Sequence, residues 1–297
     1  MKVVILSRSR SIPSTRRLVE AARGRGHTVR VMNPAHVSVH FDRKGSRLRY
    51  RGKVLKAPDV VIPRIAASIA SYGLPVVKQF SSHGAVTMNS AYAIGLARNP
   101  ARCFQKLSAN GIDIPSTVMA RDAQELKAMV PLVGGVPVLV KLLAGTERRA
   151  VMLCETEQSL EAALEAVLGL GHNIVMQEYA RKAGRDLRIF VVGGKALAAV
   201  SRVPRPGKAS RTLQRFARLE RCVLTEPVRR AAEATAQLLQ LEVGAVDLLE
   251  AKAGSPKVFE VNPSPSLPDM EAATGVDLAT AIIERAEALV AARNQTA

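Results

Sequence analysis

The sequence predicts a mixed α/β and α+β protein that opens with a parallel sheet. Over the first 90 residues, short apolar runs alternate with helical stretches, which is the pattern of parallel strands joined by helices. Farther along, apolar runs come in pairs joined by short loops, which favours antiparallel hairpins. With 297 residues, 47% hydrophobic and 3% aromatic, the chain is long enough for two or three domains packed with Ala, Leu and Val.

The first unit, residues 1–90, is predicted to be a Rossmann-like domain. Val3 to Leu6 is an apolar run typical of a buried strand, and Ser14 or Thr15 would cap a helix that continues through Ala22. The remaining predicted elements are a strand at Thr28 to Met32, a hairpin from Val37 to Arg51, and strands at Val60 to Pro63 and Val86 to Met88. No GxGxxG segment follows the first strand, which argues against a dinucleotide site here.

The central unit, residues 91–180, is predicted to contain antiparallel strands and helices. A helical stretch runs from Ser90 to Ala109, with Asn99 as an N-cap and Pro100 at the first position of its second half. The further predicted elements are strands at 116–119, Val136 to Leu143, Ala150 to Cys154 and Ile174 to Met176, and helices at Asp122 to Val130 and Gln158 to Leu168.

The last unit, residues 181–297, combines two hairpins with two helices. One hairpin pairs Leu187 to Val192 with Ala196 to Val200, and the helices are predicted at Glu226 to Leu241 and Leu278 to Ala292. The other hairpin joins Ala245 to Ala251 with Lys257 to Asn262 through a loop with Gly and Pro.

That last hairpin carries the clearest candidate site. Glu260 and Asn262 are two residues apart on one strand and share a face, and the loop is short enough to bring Asp247 opposite them. Oxygen ligands of this kind suit magnesium, which keeps several waters and takes phosphate oxygens. The alternative is an exposed hairpin with solvated acids, since spacing alone is not selective.

Composition excludes several classes of protein. The cysteines Cys103, Cys154 and Cys222 are far apart, and no CxxC pair suggests a zinc site or a disulfide framework. The opening MKVVILSRSR has too short an apolar run for a signal peptide, and no stretch is apolar enough to span a membrane. We therefore expect a cytoplasmic protein without a membrane partner.

The net charge of +18 points to an anionic partner. Basic residues are scattered, however, and aromatic residues that stack on bases are nearly absent, so nucleic acid is an unlikely direct substrate. The alternative is that the excess charge only serves solubility.

The chain resembles the RimK-type glutamate ligases of the ATP-grasp superfamily, whose founding member adds glutamates to the C-terminus of a ribosomal protein. The resemblance lies in VVILSRSRSIPSTRRLVEAARGRGHTV, VVIPRIAASIASYG, VGGVPVLVKLLAGTERRAV, IVMQEYARKAGRDLRIFVVGG, VGAVDLL and FEVNPSPSLPDMEAATGVDLA. These stretches span nearly the whole length. The resemblance implies an ATP-grasp fold after the Rossmann-like domain, with the nucleotide between the central and last units.

The resemblance also implies cofactors and their ligands. ATP and Mg²⁺ or Mn²⁺ would be bound, with Asp247, Glu260 and Asn262 matching the family's metal ligands. Lys141 matches the lysine that reaches the ATP phosphates, although a lone lysine could instead snorkel from an edge strand. The segment lining the adenine pocket corresponds to Gln177, Glu178 and Tyr179.

Three arginines match basic positions of the family. Arg188 and Arg202 correspond to positions beside the phosphates or the acyl phosphate, which makes them catalytic candidates. Arg64 would face the carboxylate of the amino acid or peptide. The alternative for each is an ordinary surface charge.

The sequence departs from the family where the γ-phosphate would be held. The family's loop G-T-Q-G-x-G here keeps Gly145 and Thr146 but continues Glu-Arg-Arg-Ala, so two glycines that let backbone N–H groups approach phosphate are lost. In a second phosphate loop, R-S-N-x-x-x-G-G in the family, Thr212 replaces the asparagine, and Arg211 and Arg215 keep positive charge nearby. The other departures are Asn99–Pro100 in place of Asp-Lys, and Ser266 in place of Gly after Pro265.

Two hypotheses follow for function. In the first, Arg148, Arg149, Arg211 and Arg215 supply by guanidinium what the loops lost, and the chain is an ADP-forming ligase that joins glutamate, or a similar amino acid, to a peptide or protein C-terminus. The acceptor could be a ribosomal protein, and the family suggests a tetramer. In the second, the chain is a catalytically weak or inactive relative that acts by binding a protein or ribosomal partner.

Overall fold

The computed structural model describes residues 1–143, 151–168, 173–179, 185–203, 218–250 and 255–296. The strands are β1 (Lys2–Leu6), β2 (Thr28–Met32), β3 (Val37–Asp42), β4 (Gly45–Tyr50), β5 (Lys53–Val54), β6 (Val60–Pro63), β7 (Val86–Thr87), β8 (Thr117–Ala120), β9 (Val138–Leu143), β10 (Val151–Cys154), β11 (Asn173–Glu178), β12 (Arg185–Val192), β13 (Lys195–Val203), β14 (Arg218–Arg221), β15 (Val243–Glu250) and β16 (Lys257–Asn262). The α-helices are α1 (Pro13–Gly24), α2 (Ala70–Ser82), α3 (Ala91–Arg98), α4 (Pro100–Ser108), α5 (Ala123–Ala128), α6 (Glu157–Leu168), α7 (Glu226–Leu238), α8 (Pro268–Thr274) and α9 (Leu278–Thr296).

The N-terminal sheet is parallel, in the order β2-β1-β6-β7. Its central strands β1 and β6 are almost wholly buried, as expected for strands covered on both faces. A separate antiparallel sheet, β3-β4-β5, is formed by the predicted hairpin and one added short strand. The prediction of a parallel sheet at the N-terminus is confirmed.

The first helix begins differently from the sequence prediction. Neither Ser14 nor Thr15 caps α1, because the helix starts at Pro13 after Ile12 and no side chain caps it. Both hydroxyls have other partners: Ser14 Oγ accepts a bond from the backbone N–H of Leu267 at 3.1 Å, and Thr15 Oγ1 lies 2.7 Å from Ser7 Oγ. The two residues connect α1 to its surroundings instead of starting it.

A helix that the sequence pattern does not predict, α2, lies between β6 and β7. It contains Gly73 and Pro75, both unfavourable inside helices, so propensity gives no signal for it. Its stability comes from packing, since Val76, Val77 and Phe80 are buried in the core of the N-terminal unit.

The break at Asn99 is confirmed. The Asn99 side chain accepts a bond from the backbone N–H of Arg102 at 3.1 Å and so caps α4, while Ser90 caps α3 in the same way. These two helices pack with α7 against one face of the last sheet. Unit boundaries at 90 and 180 stay a proposal.

The central sheet is antiparallel, in the order β10-β9-β11-β8. Helices α5 and α6 pack against it, with Leu126, Leu160 and Leu164 in the shared core. Lys141 lies in the middle of β9, opposite Val151 on one neighbour and Val175 on the other. It therefore belongs to an inner strand of this sheet, and the alternative of an edge strand is wrong.

The last sheet is antiparallel, in the order β14-β13-β12-β15-β16. One face packs against α3, α4 and α7, and the other packs against α1, α8, α9 and the N-terminal sheet. On β12 the second face carries Phe190 and Val192 in the core, and by strand alternation it carries Asp186 and Arg188 at its other end. The site is thus the polar end of a largely apolar face.

None of the helices in the described ranges combines the length and the apolar character that a membrane crossing needs.

Candidate active site

Asp247 is the centre of a buried charge network. Its side chain is fully buried, on the second strand from the edge of the last sheet. Arg188, directly opposite on β12, donates Nε–H to Oδ1 and Nη2–H to Oδ2, both at 2.7 Å. Arg202 adds a bond from Nη1–H to Oδ2 at 3.0 Å. Two guanidinium groups therefore compensate the negative charge of a carboxylate that has no contact with solvent.

Asp186 extends this network, and the sequence analysis missed it. Arg202 donates Nε–H and Nη2–H to Oδ1 of Asp186 at 2.9 and 2.6 Å. Burial raises the pKa of Asp186 to about 6, although the charges and bonds of Arg202 and Arg188 act in the opposite direction. The signal that could have found it is the D-L-R run, which places Asp186 on the same strand face as Arg188.

The two arginines hold their positions tightly. Burial lowers the pKa of Arg188, but its hydrogen bond to Asp247 and the nearby acids outweigh this effect, and the net pKa is raised. The side chain of Arg202 is only 4% exposed, and its guanidinium carbon lies 5.6 Å from the ring centre of Phe259. Arg188 and Arg202 are therefore not ordinary surface charges.

A β-bulge shapes the hairpin that carries the candidate metal ligands. Asp247 pairs with Glu260 and Ala245 pairs with Asn262, but the next pair is Leu248 with Val258. Phe259 is thus the extra residue, and its ring reaches Arg202 on the same side of the sheet as Asp247. The bulge was not predictable from alternation, which assigns Phe259 to the opposite face from Glu260.

The donor set of this hairpin fits magnesium. Asp247, Glu260 and Asn262 lie on one face of two adjacent strands, and their oxygens are the ligands that magnesium prefers. Three of the roughly four lone-pair positions of the Asp247 carboxylate accept arginine N–H bonds, which leaves one at Oδ1. Asn262 Oδ1 accepts a bond from the backbone N–H of Ser264 at 2.9 Å and keeps its second lone pair. Among the described residues no cluster of three or more His, Cys, Asp or Glu side chains forms a metal site, so any site here combines two carboxylates with the amide.

Lys141 is oriented by a short polar chain. It donates from Nζ to Oε1 of Gln177 at 2.6 Å, and Gln177 donates from Nε2 to Thr117 Oγ1 at 2.9 Å. Gln177 is buried, on the strand next to that of Lys141. Its side chain therefore positions the lysine, a role that the sequence analysis did not assign to it.

Glu178 joins the central sheet to the last sheet. Its carboxylate accepts bonds from Lys257 Nζ at 2.9 and 3.2 Å and from the backbone N–H of Ser116 at 3.0 Å. Burial raises the pKa of Glu178, but these bonds and the lysine charge outweigh it and the net pKa is lowered. Tyr179 follows directly and is half-buried.

Arg64 lies where the N-terminal unit meets the last sheet. Its Nη2–H donates to the carbonyl of Pro265 at 2.8 Å, three residues past Asn262. Burial lowers the pKa of Arg64 to about 10, and the neighbouring charge of Arg98 adds to the effect. The structure therefore brings Arg64 to the segment that follows the candidate metal ligands.

Both predicted phosphate loops fall outside the residues that the structure describes. Gly145, Thr146, Arg211 and the basic residues Arg148, Arg149 and Arg215 lie outside the described residues. The assignments of ATP ligands to these residues stay predictions.

Family models match almost the whole chain. A model described as the RimK PreATP-grasp domain matches residues 1–94, and one described as the RimK-like ATP-grasp domain matches residues 97–286. The second match alone covers more than half of the sequence.

Curated relatives agree with the family models. The chain is 41% identical over 288 residues to a protein of Pseudomonas aeruginosa (strain UCBPP-PA14) named "Probable alpha-L-glutamate ligase", covering 97% of this chain and 95% of that protein. It is 40% identical over 298 residues to a protein of the same name in Aeromonas salmonicida (strain A449), covering 100% of both.

Solved structures share the fold at low sequence identity. The ATP-grasp ligase PsnB complexed with minimal precursor matches with a TM-score of 0.76 and 19% identity, over 97% of this chain and 98% of that one. The macrocyclase MdnC bound with precursor peptide MdnA, from Microcystis aeruginosa MRC, matches with a TM-score of 0.72 and 17% identity, over 98% and 99%. These likenesses define the ATP-grasp fold.

The fold, the family models and the curated relatives together identify an ATP-grasp ligase. Within that class, the chain belongs to the RimK-like ATP-grasp family. Ligases of this kind form carbon–nitrogen bonds and convert ATP to ADP.

Proposed function

We propose that this protein joins glutamate to the C-terminal carboxylate of a peptide or protein. A carboxylate oxygen attacks the γ-phosphorus of ATP, and the bond to ADP breaks. The amino nitrogen of glutamate then attacks the acyl carbon, phosphate leaves, and the nitrogen loses a proton. The curated relatives support glutamate by their names, and the solved neighbours with bound precursor peptides support a peptide acceptor.

The observation that carries the proposal is the buried charge network beside an oxygen-rich hairpin. Arg188 and Arg202 are held rigid by Asp247, so their positive charges need little reorganisation to stabilise negative charge that develops nearby. Glu260 and Asn262 would hold magnesium together with Asp247. When bound, the metal neutralises phosphate oxygens during the transfer.

Two cations would then position the substrates. Lys141, oriented by Gln177, would contact the ATP phosphates. Arg64, whose pKa of about 10 keeps it protonated at neutral pH, would contact the carboxylate of the amino acid or peptide. A ribosomal protein as acceptor, and a tetrameric assembly, stay predictions from the family resemblance.

The alternative function is binding without efficient catalysis. The observation that favours it is that most acceptor positions of the Asp247 carboxylate are already occupied, since its two oxygens accept three arginine hydrogen bonds. If the carboxylate were not available to a metal, ATP would bind without a magnesium requirement. The two functions therefore differ in a measurable property.

The test is calorimetric titration of ATP into the protein, with magnesium and with EDTA. We expect magnesium-dependent binding that weakens by about tenfold or more in Glu260→Gln. Glu260 is the better target because Asp247→Ala would remove the carboxylate that Arg188 contacts in bidentate fashion and one of the two acids that Arg202 contacts, which would destabilise the fold. Glu220→Gln, in the edge strand β14 of the same sheet, is the matched control.

The second step of the test measures ADP release in the presence of glutamate and an acidic peptide. Wild type and Glu220→Gln should release ADP, and Glu260→Gln should not. Magnesium-independent ATP binding that is unchanged in Glu260→Gln, with no ADP release, would contradict the ligase and support the binding function.

A further inference from the structure

A basic pocket lies at the carboxyl ends of β1 and β2, in the N-terminal unit. Its volume is about 370 Å³. It is formed by the loop after β1, helix α1, strand β2 and the turn between β4 and β5. These segments contribute the arginines Arg8, Arg10, Arg23, Arg30 and Arg51.

No acid in the described part of the chain balances these arginines. Among the described residues that line the pocket, none is Asp or Glu, and none of the five arginines has a salt bridge within the described part of the chain. Two neighbouring arginines, by contrast, do have acidic partners. Arg17, in helix α1, forms a salt bridge with Glu271 at 2.8 Å, and Arg25, directly after the helix, forms one with Glu287 at 2.7 Å. The pocket therefore holds five arginines close together without an acidic partner in the described part of the chain, and five like charges repel unless a ligand of opposite sign is bound.

One wall of the pocket holds two guanidinium groups against an aromatic ring. The guanidinium carbons of Arg30 and Arg51 lie 5.0 and 5.8 Å from the ring centre of Tyr50. Arg51 has a φ of 48°, in the left-handed region that favours Gly or Asn, in the two-residue turn with Gly52. Because arginines already cover this ring, it does not offer a free surface for stacking a nucleobase.

The pocket is close to Arg64 along the edge of the sheet. Asn33 of the pocket follows β2, and Arg64 follows β6, with only β1 between the two strands. Two strand spacings amount to about 10 Å. An extended peptide covers that distance with about three residues. A chain whose terminal carboxylate met Arg64 would therefore have its preceding residues at the pocket.

We propose that this pocket binds the acidic residues that precede the reacting end of a peptide acceptor. The proposal rests on the proposed function, because it assigns the acceptor an acidic tail. Arginines from four separate segments suit carboxylates spaced along a chain better than a single compact anion. Val19, Val29 and Val31 provide an apolar wall for the methylene groups of glutamate side chains.

The test uses fluorescence anisotropy of a fluorescein-labelled hexaglutamate peptide with the full-length protein. We expect binding that weakens by about tenfold or more in Arg23→Gln/Arg30→Gln, because charge-assisted hydrogen bonds are lost. The matched control is Arg43→Gln/Lys44→Gln, which removes the same net charge from the exposed β3–β4 turn. It should bind like wild type apart from a small general electrostatic effect.

Equal weakening in both double variants, or none in either, would overturn the proposal. A second result would also overturn it. In that case wild type would not bind hexaglutamate but would bind inorganic pyrophosphate or a labelled single-stranded RNA, and the pocket variant would lose this binding. Titration of ATP and magnesium into the same variants separates this result from the proposed function. The pocket variant should bind ATP like wild type, whereas failure of the ligase would appear as ATP binding that is absent, or independent of magnesium, in wild type and in both double variants.

Discussion

At the scale of single residues, the site depends on how two buried and two half-buried charges share their partners. Asp186 and Asp247 have the same charge, and Arg202 lies between them and donates to both. Asp247 also has the bidentate contact of Arg188, while Asp186 has only one oxygen bonded to Arg202. Burial, which is the largest cause, raises the pKa of Asp186 to about 6, because the bonds and charges of the arginines offset it only in part.

Asp186→Asn should change the pH dependence of stability. The folded-state pKa of about 6 lies above the ordinary value of 3.8, so the folded protein holds this proton more tightly than the unfolded chain does. The free energy of unfolding therefore falls as pH rises between these two values. Asparagine has no such proton, so wild type should lose stability relative to the variant over this window.

The measurement is urea denaturation of both proteins on either side of the window. Asp42→Asn, in an exposed hairpin of the N-terminal unit, is the control. A wild-type-to-variant difference that does not change with pH would contradict the raised pKa of Asp186.

At the scale of elements, α1 and α9 are joined by ion pairs as well as by apolar packing. Leu18 and Ala22 of the first helix share a core with Ile282 and Ala286 of the last. Beside this core Arg25, at the end of α1, donates to both oxygens of Glu287, and His27 lies 2.6 Å from the same carboxylate. The hydrogen bond from Arg25, followed by that of His27, lowers the pKa of Glu287 to about 2.

Glu287→Gln should lower stability at neutral pH but not in strong acid. Because the folded pKa is depressed below the ordinary 4.5, the stabilisation is fully present above that value and is lost as pH falls towards 2. Thermal denaturation across this range should show the two proteins converging as the solution becomes more acidic. Glu284→Gln is the control, since Glu284 contacts Arg25 at 3.0 Å through one bond only. An equal effect of both substitutions would contradict the special position of Glu287.

At the scale of the whole molecule, one asparagine links the N-terminal unit to the last sheet. Asn89 is buried, and its amide group donates to the carbonyls of Val243 and Pro263 at 2.7 and 2.9 Å. Its oxygen accepts from the backbone N–H groups of Glu242 and Val243 at 2.9 and 3.1 Å. Four backbone groups at the start and end of the site hairpin are thus satisfied by one side chain from another unit.

Asn89→Ala should destabilise the protein by about 2–4 kcal/mol, because several buried backbone groups lose their partners. Unfolding in denaturant measures this change in the free energy of unfolding. ATP binding should also weaken in Asn89→Ala, because the hairpin that carries the candidate metal ligands loses its support. Asn110→Ala is the control: Asn110 is exposed and bonds only to its own helix at Lys106, so a change within about 0.5 kcal/mol is expected. A similar small effect at Asn89 would refute its role as a link between units.

Much of the fold could be predicted from the sequence because it depends on local patterns. Strand and helix periodicity located most elements, and the N-cap at Asn99 was identified from its own residues and Pro100. The two-residue spacing of Glu260 and Asn262 was enough to place them on one face opposite Asp247. Helix α2 was missed because its stability depends on burial and not on propensity.

Sequence motifs identified the family, most of the elements and the residue types of the candidate metal site. The packed fold was needed to show that Arg188 and Arg202 surround Asp247, that Asp186 shares Arg202 with it, and that five arginines without a salt bridge in the described part of the chain line one pocket. The physical reason is range. Periodicity acts over a few residues, whereas burial and charge pairing depend on which distant strands become neighbours, and that follows only from the packed fold.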